Sequence, residues 1–118
     1  MTVKPIGQYW EQRAEHFLMQ HGLQLITRNF STPAGEIDLI MRDTDCVAFI
    51  EVRYRGSTRF GSAIHSVTAA KQRKLKRCAA LFVNRQTAWS HHPCRFDVIA
   101  YDAPNGDVEP VWIRAAFD

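Results

Sequence analysis

At 118 residues, 46% hydrophobic and 23% charged, the chain suits one domain with one modest core, spanning residues 1–118, and is too short to make a second folded domain expected. No run approaches the ~20 apolar residues of a transmembrane helix, and the N-terminal Met-Thr-Val-Lys-Pro-Ile has no apolar h-region, so neither a membrane nor a secretory route is expected and the cytoplasm is the expected compartment. The net charge of +3 hides an asymmetry: ten of the fifteen Lys and Arg fall between Val52 and Phe96, where there is no Asp or Glu, which predicts a positive face suited to a polyanion such as nucleic acid.

The first predicted element is a helix from about Gly7 to His21, on which Trp10, Ala14, Phe17, Leu18 and His21 recur at helical spacing. Gly22 is placed to end it in a left-handed conformation. Glu11 and Glu15 lie one turn apart on the border of the apolar stripe. Two readings stand for them: a carboxylate turned toward a pocket, or an exposed acid that complements the helix dipole.

Leu23 to Phe30 reads as the first strand, and Ser31-Thr32-Pro33-Ala34-Gly35 as a turn. Two further strands follow, Gly35–Ile40 and Ala48–Arg55, joined by the turn composition of Asp43-Thr44-Asp45. This predicted hairpin carries the functional argument. Side chains alternate across a strand, so Glu36 and Asp38 share one face and Glu51 and Arg53 share another. If those faces coincide, Asp38, Glu51 and Arg53 converge. Charges inside apolar strands are costly unless paired or bound to a metal, so the pattern asks for a salt bridge or a ligand.

Gly56 to Ser62 reads either as a loop suited to lying close to a ligand or as a disordered stretch. A second helix, capped by Ser66 or Thr68, is predicted to run to about Arg85, with Lys71, Leu75, Cys78, Ala79 and Phe82 on one stripe. Lys71 opens that core-facing stripe, while Arg73, Lys74, Lys76 and Arg77 lie mostly on the other sides, free to meet phosphates or solvent. After a polar connection from Asn84 to Pro93 come a strand at Arg95–Tyr101, an Asn105-Gly106 turn and a last strand around Val111–Ile113. Cys46, Cys78 and Cys94 are odd in number and widely spaced, which suits reduced thiols. The spacing of His91-His92-Pro93-Cys94 matches no zinc pattern.

Taken together, Gly35-Glu36-Ile37-Asp38-Leu39-Ile40, Phe49-Ile50-Glu51-Val52-Arg53-Tyr54-Arg55, Phe60-Gly61, Lys71 with Leu75, and Arg95-Phe96-Asp97-Val98 resemble the bacterial YraN family along nearly the whole chain. That endonuclease-like group is related to archaeal Holliday-junction resolvases and belongs to the PD-(D/E)xK nuclease superfamily. The resemblance implies an α/β, restriction-endonuclease-like core, a mixed central sheet flanked by helices in the order α-β-β-β-α-β. The same order follows from the periodicity. It also implies that Asp38 and Glu51 are the two superfamily acids and Glu11 the helix carboxylate, together holding Mg²⁺, with Mn²⁺ as a substitute. Lys71 matches a helix position suited to contacting the phosphate or the attacking water. Two departures stand out: Arg53 occupies the place of the motif's lysine, and Trp10 stands where glycine is common. Arginine binds phosphate well but cannot act as a base.

The expected function is that of a Mg²⁺-dependent endonuclease hydrolysing DNA phosphodiester bonds, with branched or structured DNA among its substrates. Asp38, Glu51, Arg53 and Lys71 would carry the chemistry, and Arg55, Arg59, Arg73, Lys74, Lys76 and Arg77 would contact nucleic acid. A second reading is a non-catalytic nucleic-acid-binding protein that retains the nuclease fold. A third is a scaffold in which the acids and Arg53 form only buried salt bridges.

Overall fold

The computed structural model describes residues 6–54, 67–101 and 109–118. Its elements are α1 (Ile6–Gln20), β1 (Gln24–Thr32), β2 (Gly35–Asp43), β3 (Cys46–Tyr54), α2 (Ala69–Arg85), β4 (Cys94–Tyr101) and β5 (Val111–Phe117), with a short 3-10 turn at Thr87–Trp89 inside the predicted polar connection. Arg55, Arg59, the Gly56–Ser62 loop with Phe60-Gly61, the Ser66 cap and the Asn105-Gly106 turn lie outside the described residues. Among those described, no helix is long and apolar enough to cross a membrane.

The strands form one sheet in the order β1-β2-β3-β4-β5. Only β3 and β4 run parallel, and the other neighbours are antiparallel. The parallel pair needs a crossover, which α2 supplies. The result is the mixed α/β fold, helices flanking a central sheet in α-β-β-β-α-β order, that the sequence leads one to expect. β5 closes it as an antiparallel neighbour of β4.

α1 ends as its sequence dictates. Gly22 adopts φ +93, its N–H reaches Met19 O at 3.1 Å, and the Leu23 N–H reaches Leu18 O at 3.1 Å. Those two bonds satisfy carbonyls that the helix itself leaves open. Trp10, Ala14 and Leu18 are buried, but His21 is exposed and bonds through Nδ1 to Phe17 O at 2.8 Å. α2 starts at the Thr68 cap, whose hydroxyl accepts the Lys71 N–H at 3.2 Å, and it buries Leu75, Cys78, Ala79 and Phe82. The first two hairpins are tighter than their composition suggests, because Thr32 pairs with Gly35 and Asp43 with Cys46. Two-residue turns therefore suffice, and the strands extend into positions read as loop.

The two helices lie on opposite sides of the sheet. Trp10, Ala14 and Leu18 pack with Met41, Ala48, Ile50 and Ile99. Leu75, Cys78, Ala79 and Phe82 pack with Ile40, Val47, Phe49 and Val98. Adjacent strand residues face opposite layers, so the central strands are apolar on both faces and read as near-continuous hydrophobic runs. On β4, next to the edge strand β5, Asp97 is fully buried and serves as a hub. It accepts from Arg95 Nε at 3.0 and 3.1 Å, Trp112 Nε1 at 3.0 Å and the Ala115 N–H at 3.0 Å. Those bonds secure the irregular β4–β5 register, where Ala115 sits at φ +49.

Candidate functional site

The site begins where two strands part. β2 and β3 pair from Asp43↔Cys46 as far as Leu39↔Ile50. Beyond that point β3 continues beside β4 alone. The Val52 N–H is taken by the Asp38 side chain, which accepts it through Oδ2 at 2.9 Å. A carboxylate thus replaces a backbone acceptor where the ladder ends, and this fixes Asp38 between the layers. Asp38 also shares a hydrogen bond with Glu51.

Glu51 is buried, with 3% of its surface exposed. Its Oε2 receives Arg53 Nη2 at 3.0 Å and Lys71 Nζ at 3.4 Å. Lys71 comes from the first turn of α2, so that helix delivers a cation to the acid on β3. Arg53 Nε is buried without a hydrogen-bond partner among the described residues.

From the other layer α1 delivers Glu11. Its Oε1 accepts Asn29 Nδ2 at 2.7 Å, and the same amide lies 3.3 Å from Glu36 Oε1. Ser31 Oγ donates to Glu36 Oε2 at 2.9 Å. Asn29 sits at φ +49 within β1, a conformation that asparagine tolerates better than most residues. Carboxylate oxygens of Glu11, Glu36 and Asp38 all lie within 4.8 Å of one another.

Three acids thus meet around Asp38, with Glu11 and Glu36 half-exposed or exposed toward α1 and Glu51 buried toward α2. Burial first, then the charge of Glu51, pushes the Asp38 carboxyl up to about 8 despite the Val52 hydrogen bond. Glu11 is also raised, chiefly by desolvation and then by Asp38 and Glu36, with Asn29 opposing. Clustered carboxyls that hold protons so tightly are short of positive charge. Hard divalent cations such as Mg²⁺ take a few carboxylate oxygens and keep water and phosphate in the remaining positions. The donor set here, all oxygen and open on one side, fits such an ion.

The sequence-predicted residues fall as follows. Asp38 and Glu51 are in contact, Glu11 approaches Asp38, and Arg53 and Lys71 both engage Glu51. The closest three-acid group is Glu11, Glu36 and Asp38, with Glu51 joined through Asp38. Period-two alternation puts Glu36 on the face of Asp38 but does not mark it as a ligand; that spacing is the available signal. Glu15 turns away and pairs with Arg28 at 2.6 and 2.8 Å. Arg73, Lys74, Lys76 and Arg77 are all exposed along α2.

Fold and acidic cluster together are consistent with a PD-(D/E)xK-like nuclease fold. Comparison with known proteins adds a family. The sequence model described as "Uncharacterised protein family UPF0102" matches residues 10–101. A UPF0102 protein of Pseudomonas syringae pv. syringae is 47% identical over 118 residues, covering 99% of this chain and 96% of the relative. Another from Pseudomonas fluorescens is 45% identical over 113 residues, covering 95% and 92%. A third from Stutzerimonas stutzeri is 48% identical over 109 residues, covering 89% and 91%.

Proposed function

The chain belongs to the UPF0102 family, and from that premise we propose that it is a divalent-metal-dependent endonuclease acting on DNA. The observation that carries this reading is the convergence of Glu11, Glu36, Asp38 and Glu51 at the mouth opened by the parting of β2 and β3, with Lys71 and Arg53 beside it. Asp38 and Glu11 would hold Mg²⁺ or Mn²⁺, flanked by Glu36 on the open side and Glu51 on the buried side. An ion bound there supplies an acidified water and charge stabilisation at the phosphate.

The protein's own groups divide the remaining work. Glu51 fixes Arg53 and Lys71 within reach of a phosphate that approaches the acids. Arg53 offers a planar, permanently charged guanidinium toward the phosphate oxygens. Lys71 places an ammonium beside Glu51, where it can contact the phosphate or the attacking water. The exposed Arg73, Lys74, Lys76 and Arg77 hold the duplex by its phosphates, which positions it without reading sequence.

The test is cleavage of duplex, single-stranded and branched DNA with Mg²⁺, Mn²⁺ or EDTA, by wild type and by Asp38→Asn and Glu51→Gln. Cleavage is expected only with metal and only by wild type, with DNA binding kept by both variants. Cleavage in excess EDTA, or undiminished cleavage by Asp38→Asn, would refute the metal mechanism. Binding without cleavage under every condition would favour the binding-only reading.

A further inference from the structure

α1 has a second functional-looking side. Tyr9, Gln12, Arg13, His16 and Gln20 recur at i, i+3, i+4, i+7 and i+11, a stripe beside the one that carries Glu11. They form one wall of a groove of about 370 Å³, whose other wall includes Tyr101 and Glu109. The groove spans about 16 Å of helix at 1.5 Å per residue, starting within one turn of Glu11.

Its chemistry is mixed in a specific way. The Arg13 guanidinium lies 5.4 Å from the Tyr101 ring centroid and 5.5 Å from that of Trp10. Trp10 in turn stacks on Tyr54, the last residue of β3, at 4.3 Å and 12°. Tyr9 meets Trp10 edge-on at 5.0 Å yet keeps 47% of its surface exposed, so a large ring stands at the rim with a face to offer. Burial, opposed by Arg13, pushes the Tyr101 hydroxyl up to about 12, so it stays protonated at neutral pH. Glu109 places a carboxylate among these groups. One exposed ring, Tyr9, backed by the buried Trp10 and Tyr101, with a cation and a few donors and acceptors beside it, is what an unpaired base requires. A carboxylate in the wall disfavours a backbone phosphate but accepts well from an exocyclic amine.

Topology supplies the second argument. The basic stretch of α2 lies on one side of the sheet, and this groove flanks α1 on the other. The acidic centre lies between, because Lys71 reaches it from α2 and Glu11 from α1. A straight duplex held on α2 cannot also lie along α1. A strand that leaves the duplex at the acids can.

Resting on the reading of the acids as a DNA-cleaving centre, we propose that the groove between α1 and the Tyr101/Glu109 wall binds an unpaired nucleotide, making DNA with a single-stranded segment at the scissile position the preferred substrate. The groove matches a base in size, since small-molecule sites begin at about 300 Å³.

The test is fluorescence anisotropy in Ca²⁺ with three labelled probes: a blunt duplex, the same duplex with a 5′ tail, and the same duplex with a 3′ tail. A 2-aminopurine in the tail reports stacking. For wild type, one tail should strengthen binding about tenfold over the blunt duplex and quench the 2-aminopurine. Tyr9→Ala and His16→Ala should shrink that gain while leaving blunt-duplex affinity unchanged, and Tyr9→Phe should keep it because the ring face remains. Absence of a gain with either tail, or a gain and quench that survive Tyr9→Ala combined with His16→Ala, would overturn the assignment and leave the nuclease reading standing. Failure of all three probes to bind would overturn both.

Discussion

Replacing Asp38 by Asn should make the metal-free protein more stable and less sensitive to pH than the wild type. Burial and the nearby Glu51 keep the Asp38 proton in place to about pH 8, whereas the unperturbed carboxyl loses it near 3.8. Between those values the folded form holds one proton more than the unfolded form. Stability therefore falls as pH rises, by about 1.4 kcal/mol per unit, is fully present only below the lower value and is lost through the upper one. From pH 5 to pH 7 the proton shared by the Asp38–Glu51 pair removes on the order of 3 kcal/mol, a sizeable part of the roughly 5–15 kcal/mol that holds a typical domain together. Asparagine keeps an oxygen for the Val52 N–H and has no proton to lose. The advantage of the variant should grow with pH and level off above about pH 8. Mn²⁺, which binds the ionised carboxylate, should raise wild-type stability at pH 7 and leave Asp38→Asn almost unmoved. Urea denaturation followed by tryptophan fluorescence, in EDTA and in Mn²⁺ from pH 5 to 9, measures all of this. If Asp38→Asn is the less stable protein at pH 7 in EDTA, or differs from wild type by an amount independent of pH, the reasoning about the acidic cluster fails.

Three other outcomes are expected. Lys71→Ala and Arg53→Ala should each lower single-turnover cleavage about 10²–10³-fold, the usual cost of removing one transition-state charge partner, while Arg53→Lys retains or raises it; undiminished cleavage by Lys71→Ala would remove that residue from the mechanism. Changing Arg73, Lys74, Lys76 and Arg77 together to Ala should reduce the slope of log affinity against log salt by about 3–4 units, and an unchanged slope would place DNA elsewhere. Asp97→Ala should cost about 3–5 kcal/mol in urea denaturation because it leaves the half-buried Trp112 Nε1 and the Ala115 N–H without their acceptor and Arg95 with Asp43 alone, with Asp97→Asn milder; a loss below 1 kcal/mol would deny Asp97 its role as the hub of β4 and β5.

Periodicity and turn chemistry by themselves determined the order and type of the elements, because each rests on neighbours a few residues apart. While the choice of Thr68 between two candidate caps is made by the structure, the Gly22 cap and the Leu75, Cys78, Ala79, Phe82 stripe are legible in that way. So was the family, whose motifs are short and ordered. Strand ends were not, since the pairings of Thr32 with Gly35 and Asp43 with Cys46 depend on a partner strand that local composition does not reveal. Alternation put Asp38 on the face of Glu36 and Glu51 on that of Arg53, but it could not say that β2 and β3 part beyond Leu39↔Ile50. Only that divergence frees Asp38 to take the Val52 N–H and to touch acids from both layers. Asp97 shows the same limit: within Arg95-Phe96-Asp97-Val98 it looks like one more strand acid, and its role depends on Trp112 and Ala115, fifteen and eighteen residues away. Local sequence fixes which atoms are available, while the meeting of charges distant along the chain is set by how the layers pack, where desolvation and neighbouring charge decide which carboxyl keeps its proton.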